Sequence, residues 1–234
     1  MTDAVDPYAV VDEVLRALWG AVNTLSRVPD HSGAYRVAIF GSARVHRDDP
    51  EFAQVRELSR RLAARGCSIV TGGGPGLMEA ANEGERLGDP TNQRNTIGVR
   101  VELPFEQGVN AYVEESYVHG TFFSRLHHFV RLGNAFIIAP GGIGTTLEAL
   151  MVWQLLQVKH IVDVPLVFVG SMWRELDEWA KRTMLTTDPP LANATDLQIP
   201  VFVNDMEEAA AVVLAHYEAT RGQRPPAGGQ APRS

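Results

Sequence analysis

The chain has 234 residues, 45% hydrophobic and 21% charged, which is enough to bury the core of one α/β domain and leaves no clear material for a second. Its net charge of −7 argues against a binder of nucleic-acid backbones. No apolar run approaches the ~18 residues needed to cross a bilayer. Met1 to Pro7 is polar and acidic, unlike a secretory signal, so a cytoplasmic protein without a membrane partner is expected. The single cysteine, Cys67, can form neither an internal disulfide nor a zinc site and reads as a packed thiol. Lys159 and Lys181 are the only lysines, and neither sits in a glycine-rich turn. That disfavours a Walker-type phosphate loop and a pyridoxal-phosphate Schiff base, each of which requires a placed lysine.

From Tyr8 to Leu25, apolar residues recur at three- and four-residue steps, predicting an amphipathic helix, and Pro29 to Gly33 is the connector that ends it. Residues 1–33 therefore form a leading helix and connector, 34–220 a single catalytic-type domain, and the Gly, Gln, Pro and Arg from Arg221 onward a disordered tail. Tyr35 to Phe40 reads as a first strand closing on Gly41-Ser42, at the end of a parallel strand where α/β sheets hold ligands. A helix from about Pro50 to Arg65 leads to the strand Cys67 to Val70 and then to Thr71-Gly72-Gly73-Gly74-Pro75-Gly76. Pro75 suits a first helical turn, and the glycines expose backbone donors at the start of the next helix. The spacing does not fit the dinucleotide fingerprint, which belongs to the first βα unit and is followed by an acidic residue about 20 positions on.

Arg86 to Asn95 reads as loop and Thr96 to Val101 as a third strand. After Leu103-Pro104 and a turn at Gln107-Gly108, a short strand falls between Ala111 and Val118, and a helix runs from Phe122 to Leu132. Ala135 to Ala139 is a buried strand leading into Pro140-Gly141-Gly142-Ile143-Gly144-Thr145-Thr146-Leu147-Glu148, where helical spacing resumes. Here bare backbone, the first N–H groups of a helix and the Thr145 hydroxyl converge as donors, a site for an anion and most naturally a phosphate. Strands at 165–169 and 199–203 and helices around Trp173 to Met184 and Met206 to Tyr217 complete an alternating pattern. The pattern predicts a doubly wound, mostly parallel α/β sheet with helices on both faces.

The helix from Thr121 descends from the ligand edge and the strand from Asn134 climbs back to it. Six residues of strand gain about 20 Å, and the seven residues from Leu132 back to Arg125 gain about 10 Å of helix. Side chains tilt toward the helix N-terminus, so the long Arg125 reaches the ligand edge and converges on Glu148. His127 and His128 lack metal-ligand spacing and read as interface or surface residues, and no metal site is expected. Trp153, Trp173 and Trp179 lie in helical patterns as core or dimer contacts.

Ser124-Arg125, the Pro140 to Glu148 motif and Gly72-Gly73-Gly74-Pro75-Gly76-Leu77-Met78 together closely resemble the LONELY GUY family of nucleoside 5′-monophosphate phosphoribohydrolases, over roughly Arg36 to Tyr217. Proteins of that kind have often been labelled lysine decarboxylases, an activity the lysine count disfavours. The resemblance implies a modified Rossmann fold, a homodimer or higher homo-oligomer with sites near the interface, and no cofactor. It implies cleavage of the N-glycosidic bond of AMP or a cytokinin riboside monophosphate to free base and ribose 5-phosphate. The family's catalytic Arg and Glu fall on Arg125 and Glu148. Its phosphate loop falls on Gly141, Gly142, Ile143, Gly144 and Thr145, and the early Gly-Ser near sugar or base falls on Gly41 and Ser42. Gly73 and Gly74 supply the second glycine loop.

Leu126, Ile143 and Glu79 stand where plant-type members carry Lys, commonly Tyr, and Gly. These differences leave Arg125 and Glu148 in place and bear on preference for the base. In the expected chemistry Glu148, ionised with help from its helix N-terminus, stabilises an oxocarbenium-like carbon or orients water, while Arg125 holds phosphate, ribose or leaving base. A non-catalytic nucleotide or molybdenum-cofactor carrier of similar fold is the rival reading.

Overall fold

The computed structural model describes residues 34–102 and 108–221. The expected leading helix and connector, Leu103-Pro104 and the tail beyond Arg221 lie outside the described residues.

Seven strands form one sheet in the order β4-β3-β2-β1-β5-β6-β7, with every neighbouring pair parallel. They are β1 (Tyr35–Phe40), β2 (Cys67–Thr71), β3 (Ile97–Val101), β4 (Glu115–His119), β5 (Ala135–Ile138), β6 (Leu166–Val169) and β7 (Val201–Val203). The helices are α1 (Pro50–Ala64), α2 (Leu77–Gly88), α3 (Phe122–Leu132), α4 (Ile143–Gln157), α5 (Ser171–Met184) and α6 (Met206–Arg221). This is the modified Rossmann arrangement expected.

The central strands are apolar on both sides because helices cover both faces. Tyr35, Val37 and Ile39 of β1, Cys67 and Ile69 of β2 and Ala135 and Ile137 of β5 pack under α1, α2 and α6. The alternate residues Ala38, Phe40, Val70, Phe136 and Ile138 pack under α3, α4 and α5. Winding leftward from β1 and then rightward from β5 with right-handed crossovers sends the two helix sets to opposite faces. The order reverses between β1 and β5, which opens a crevice beyond their carboxyl ends. Gly41-Ser42 and Pro140 to Gly142 follow those two strands.

Several element boundaries differ from the sequence reading, three of them instructively. Arg86 to Gly88 are helical, so the loop begins only at Asp89. The reason is packing: an added Cβ at Gly84 would overlap the Arg56 carbonyl of α1, and one at Gly88 would overlap the Arg60 carbonyl, so the two glycines let α2 lie directly on α1. Pro75 stands outside α2, whose cap is Gly76 at φ 70° and ψ −132°. Arg221 closes α6 rather than opening the tail.

Replacing Gly84 by Ala should force α1 and α2 apart and cost on the order of 2–4 kcal/mol. Gly142→Ala, whose added methyl meets nothing within 4 Å, should change stability by less than about 0.5 kcal/mol. Urea unfolding of both variants measures the contrast.

Candidate active site

Ser42 joins the glycine loops. Its N–H donates to the Pro140 carbonyl at 3.1 Å, and its carbonyl accepts from the Leu77 N–H at 2.9 Å. A single residue just past β1 thus ties the loop after β5 to the first turn of α2. This approach requires a bare backbone: a Cβ on Gly76 would overlap the Ser42 carbonyl, and one on Gly41 would sit 2.9 Å from the Leu77 Cβ. Gly41 and Ser42 therefore build the floor of the site. The Ser42 hydroxyl is itself engaged, accepting from the Arg44 N–H at 3.1 Å.

The loop Pro140 to Thr145 leads straight into a helix N-terminus. α4 begins at Ile143 after Gly142, so the N–H groups of Ile143, Gly144 and Thr145 have no acceptor within the helix, and the Thr146 N–H takes the Gly142 carbonyl at 2.9 Å. Gly142 and Gly144 face open space, whereas Gly141 is filled on one side by the buried Thr145 side chain. Ile143 is 89% exposed on the rim.

Arg125 and Glu148 meet, 23 positions apart in sequence. Arg125 Nη2 lies 3.0 Å from Glu148 Oε1, with side chains only 14% and 10% exposed. Thr121 caps α3 by accepting from the Ser124 N–H at 3.2 Å, which sets Arg125 in the first turn. Three further contacts fix the guanidinium: Nε donates to the Val99 carbonyl at 2.9 Å, the Phe129 ring lies 5.3 Å beneath, and a Cβ on Gly72 would come within 2.7 Å of Nη2. The loop after β5 leads into the helix that carries the carboxylate partner and the triple-glycine loop abuts the cation, so the two loops converge on one pair.

Burial pushes the Glu148 carboxyl up to about 7, against the opposing pull of Arg125. This corrects the expectation that the helix N-terminus keeps it ionised. Glu148 is the sixth residue of α4, past the first turn where the helix field acts, so loss of water outweighs it.

Gly73 is also revised. Its N–H donates to Thr71 Oγ1 at 3.0 Å and its Cα lies against Gly98 and Arg100 of β3, so it packs inward and offers no free donor. Gly72 and Gly73 are buried and Gly74 is half-buried. His128 is half-buried. It sits edge-on to Tyr117, its Nδ1 lies 2.9 Å from His119 Nε2, and burial followed by the charge of His119 holds it down at about 4. Trp173 is core and donates to the Ala139 carbonyl at 3.3 Å, bracing the residue before Pro140; Trp153 is also buried, while Trp179 is exposed. No group of three His, Cys, Asp or Glu side chains poised for a metal occurs among the described residues.

A wholly parallel sheet carrying a glycine loop at its topological switch point, with a buried carboxylate and guanidinium beside it, defines the Rossmann-like class. Within that class the chain belongs to the family described as "Possible lysine decarboxylase", whose model matches residues 78–213. Over 148 residues it is 30% identical to the pyrimidine/purine nucleotide 5′-monophosphate nucleosidase of Escherichia coli strain K12, a match covering 58% of this chain and 33% of that protein. The proteins of the same name from E. coli O6:H1 and O157:H7 match equally. The chain spans about a third of the length of these curated relatives.

Among solved structures it resembles the molybdenum cofactor carrier protein of Chlamydomonas reinhardtii (TM-score 0.54, 19% identity, 80% of this chain and 99% of that one). It also resembles the molybdenum cofactor binding protein of Rippkaea orientalis (TM-score 0.56, 17% identity, 79% and 98%). At these identities the likeness is one of fold. The family's description finds no lysine at the glycine loops: Lys159 lies past the carboxyl end of α4, and Lys181 pairs with Asp177 at 2.6 Å on α5.

The raised Glu148 value means the folded chain binds this proton more tightly than the unfolded chain. Its contribution to stability is complete below the ordinary value of 4.5 and is lost as pH rises through about 7. Urea unfolding from pH 4 to 8 should show a downward trend that is shallower in Glu148→Gln, and carboxyl NMR of the wild type should give a Glu148 midpoint near 7.

Proposed function

We propose that this chain hydrolyses the N-glycosidic bond of a nucleoside 5′-monophosphate, AMP or an N6-modified adenosine monophosphate among them, giving free base and ribose 5-phosphate. The observation that carries the reading is the buried 3.0 Å contact between Arg125 and Glu148 beside an open anion loop. The curated names of the E. coli relatives, and the resemblance of the motifs to phosphoribohydrolases, support the substrate class.

The 5′-phosphate occupies the N–H cradle of Ile143, Gly144 and Thr145, which holds the ribose over Glu148. As the bond from C1′ to the base nitrogen lengthens, its electron pair leaves with the base and C1′ becomes oxocarbenium-like. The Glu148 carboxylate stabilises that carbon and takes a proton from the incoming water, whose oxygen forms the new bond to C1′. The departing base takes a proton from solvent and Glu148 returns to solvent the one it took from water, so the step closes as base plus ribose 5-phosphate. A carboxylate with a value near 7 is a stronger base than an exposed glutamate and is still largely ionised just above neutrality. Arg125 keeps the carboxylate oriented and offers its remaining N–H groups to substrate oxygen or developing negative charge. Pure carriage of a phosphorylated ligand does not call for a carboxylate of raised basicity locked to an arginine.

The exposed face of α4 fits a homodimer. Ile143, Leu147 and Leu150 form an exposed apolar row on α4 that Val158 extends just past its end, and Phe122 and Phe123 add to the exposed apolar surface on α3. A second copy covering this row would place the site at the interface, as the resemblance implies.

Incubation with AMP should release adenine and ribose 5-phosphate, and Glu148→Gln and Arg125→Ala should each lower the rate at least ~10²-fold with the fold intact. Tight AMP binding by the wild type without product would instead assign a carrier. Sedimentation should give a dimer and Leu150→Arg a monomer; a monomeric wild type would overturn the interface.

A further inference from the structure

The segment before β4 holds the triple-glycine loop through one side chain. Asn110 donates from its backbone N–H to the Gly73 carbonyl at 2.9 Å. Its Nδ2 donates to the Gly74 carbonyl at 2.9 Å and to Asn82 Oδ1 at 3.1 Å, while its Oδ1 accepts from the Tyr112 N–H at 3.1 Å. The fully buried Asn82 is in turn the acceptor for Thr71 Oγ1 at 2.7 Å, and Thr71 Oγ1 accepts from the Gly73 N–H at 3.0 Å. Two consecutive carbonyls, 73 and 74, are thereby drawn to the same residue.

A trans peptide aims its N–H opposite to its C=O. With the Gly73 carbonyl drawn to Asn110, the Gly74 N–H points away from the 108–114 segment. Gly72 is buried beside Arg125, Gly73 has spent its N–H on Thr71, and Pro75 has none. Gly74, half-buried, is the member of the triple that a ligand can reach.

We propose that Asn110 is a positioning residue for the substrate: by fixing the Gly73–Gly74 peptide it presents the Gly74 N–H to an oxygen of the sugar phosphate, across the site from the anion loop. The inference rests on the phosphoribohydrolase reading for its ligand and on the hydrogen bonds above for its geometry.

Asn110→Asp tests it, because the carboxylate still accepts from the Tyr112 N–H and keeps the local turn, but sets oxygen against the Gly74 and Asn82 oxygens. Expected for Asn110→Asp and Asn110→Ala, both checked for folding by thermal melts, is a KM for AMP raised about 10-fold or more with kcat within about 3-fold. Amide exchange at Gly73 should quicken by about 10-fold in the Asp variant whether or not AMP turns over. A wild-type KM in Asn110→Asp, or unchanged Gly73 exchange, overturns the proposal. A wild type that leaves AMP intact, together with quickened exchange, overturns the hydrolase reading while the loop geometry stands.

Discussion

A carboxylate held out of water against a guanidinium is the constraint around which this site is built. Such a contact is retained only if the surroundings hold both partners, since desolvation works against each charge. Here the holding is visible atom by atom. Val99 accepts from Nε, Phe129 supports the guanidinium from below, and Gly72 leaves room beside it. Even so the carboxylate resists ionisation, and its upward shift is the chemical consequence of the packing.

That contact depends on the topology. Glu148 comes from the α4 side of β5 and Arg125 from the helix that enters β5, so both approach the crevice from the face covered by α3, α4 and α5. The opposite face contributes the triple-glycine loop through β2 and α2. Ser42, just past the central β1, bonds through its main chain both to Pro140 in the loop after β5 and to Leu77, the residue that follows the triple-glycine loop. A displacement of either loop would therefore pass through Ser42 to the other, which links the rigidity of the floor to the alignment of the pair.

Much of this was legible beforehand. Alternating apolar runs and glycine turns foretold a doubly wound parallel sheet, and helix and strand rise alone brought Arg125 toward Glu148. What could not be read was solvent exposure. The helix-terminus argument favoured an ionised Glu148, yet its environment, created by residues distant in sequence, acts the other way. His128 read only as an interface or surface residue because its hydrogen bond to His119 joins a helix to a strand in register. Asn110 carries no motif: its importance lies in five bonds to the segment 71–82 and its own turn, a relation no local pattern encodes.

The sequence by itself determined the sheet, its two layers of helices, the glycine loop that opens α4 and the pairing of an arginine with a glutamate, because periodicity and glycine placement act over a few neighbouring residues. Only the tertiary structure decided which glycine donors remain free, how far Glu148 is stripped of water and which side chain orients the second loop. Those properties arise where segments far apart in the chain press together, and they depend on distances of tenths of an ångström that residue order does not carry.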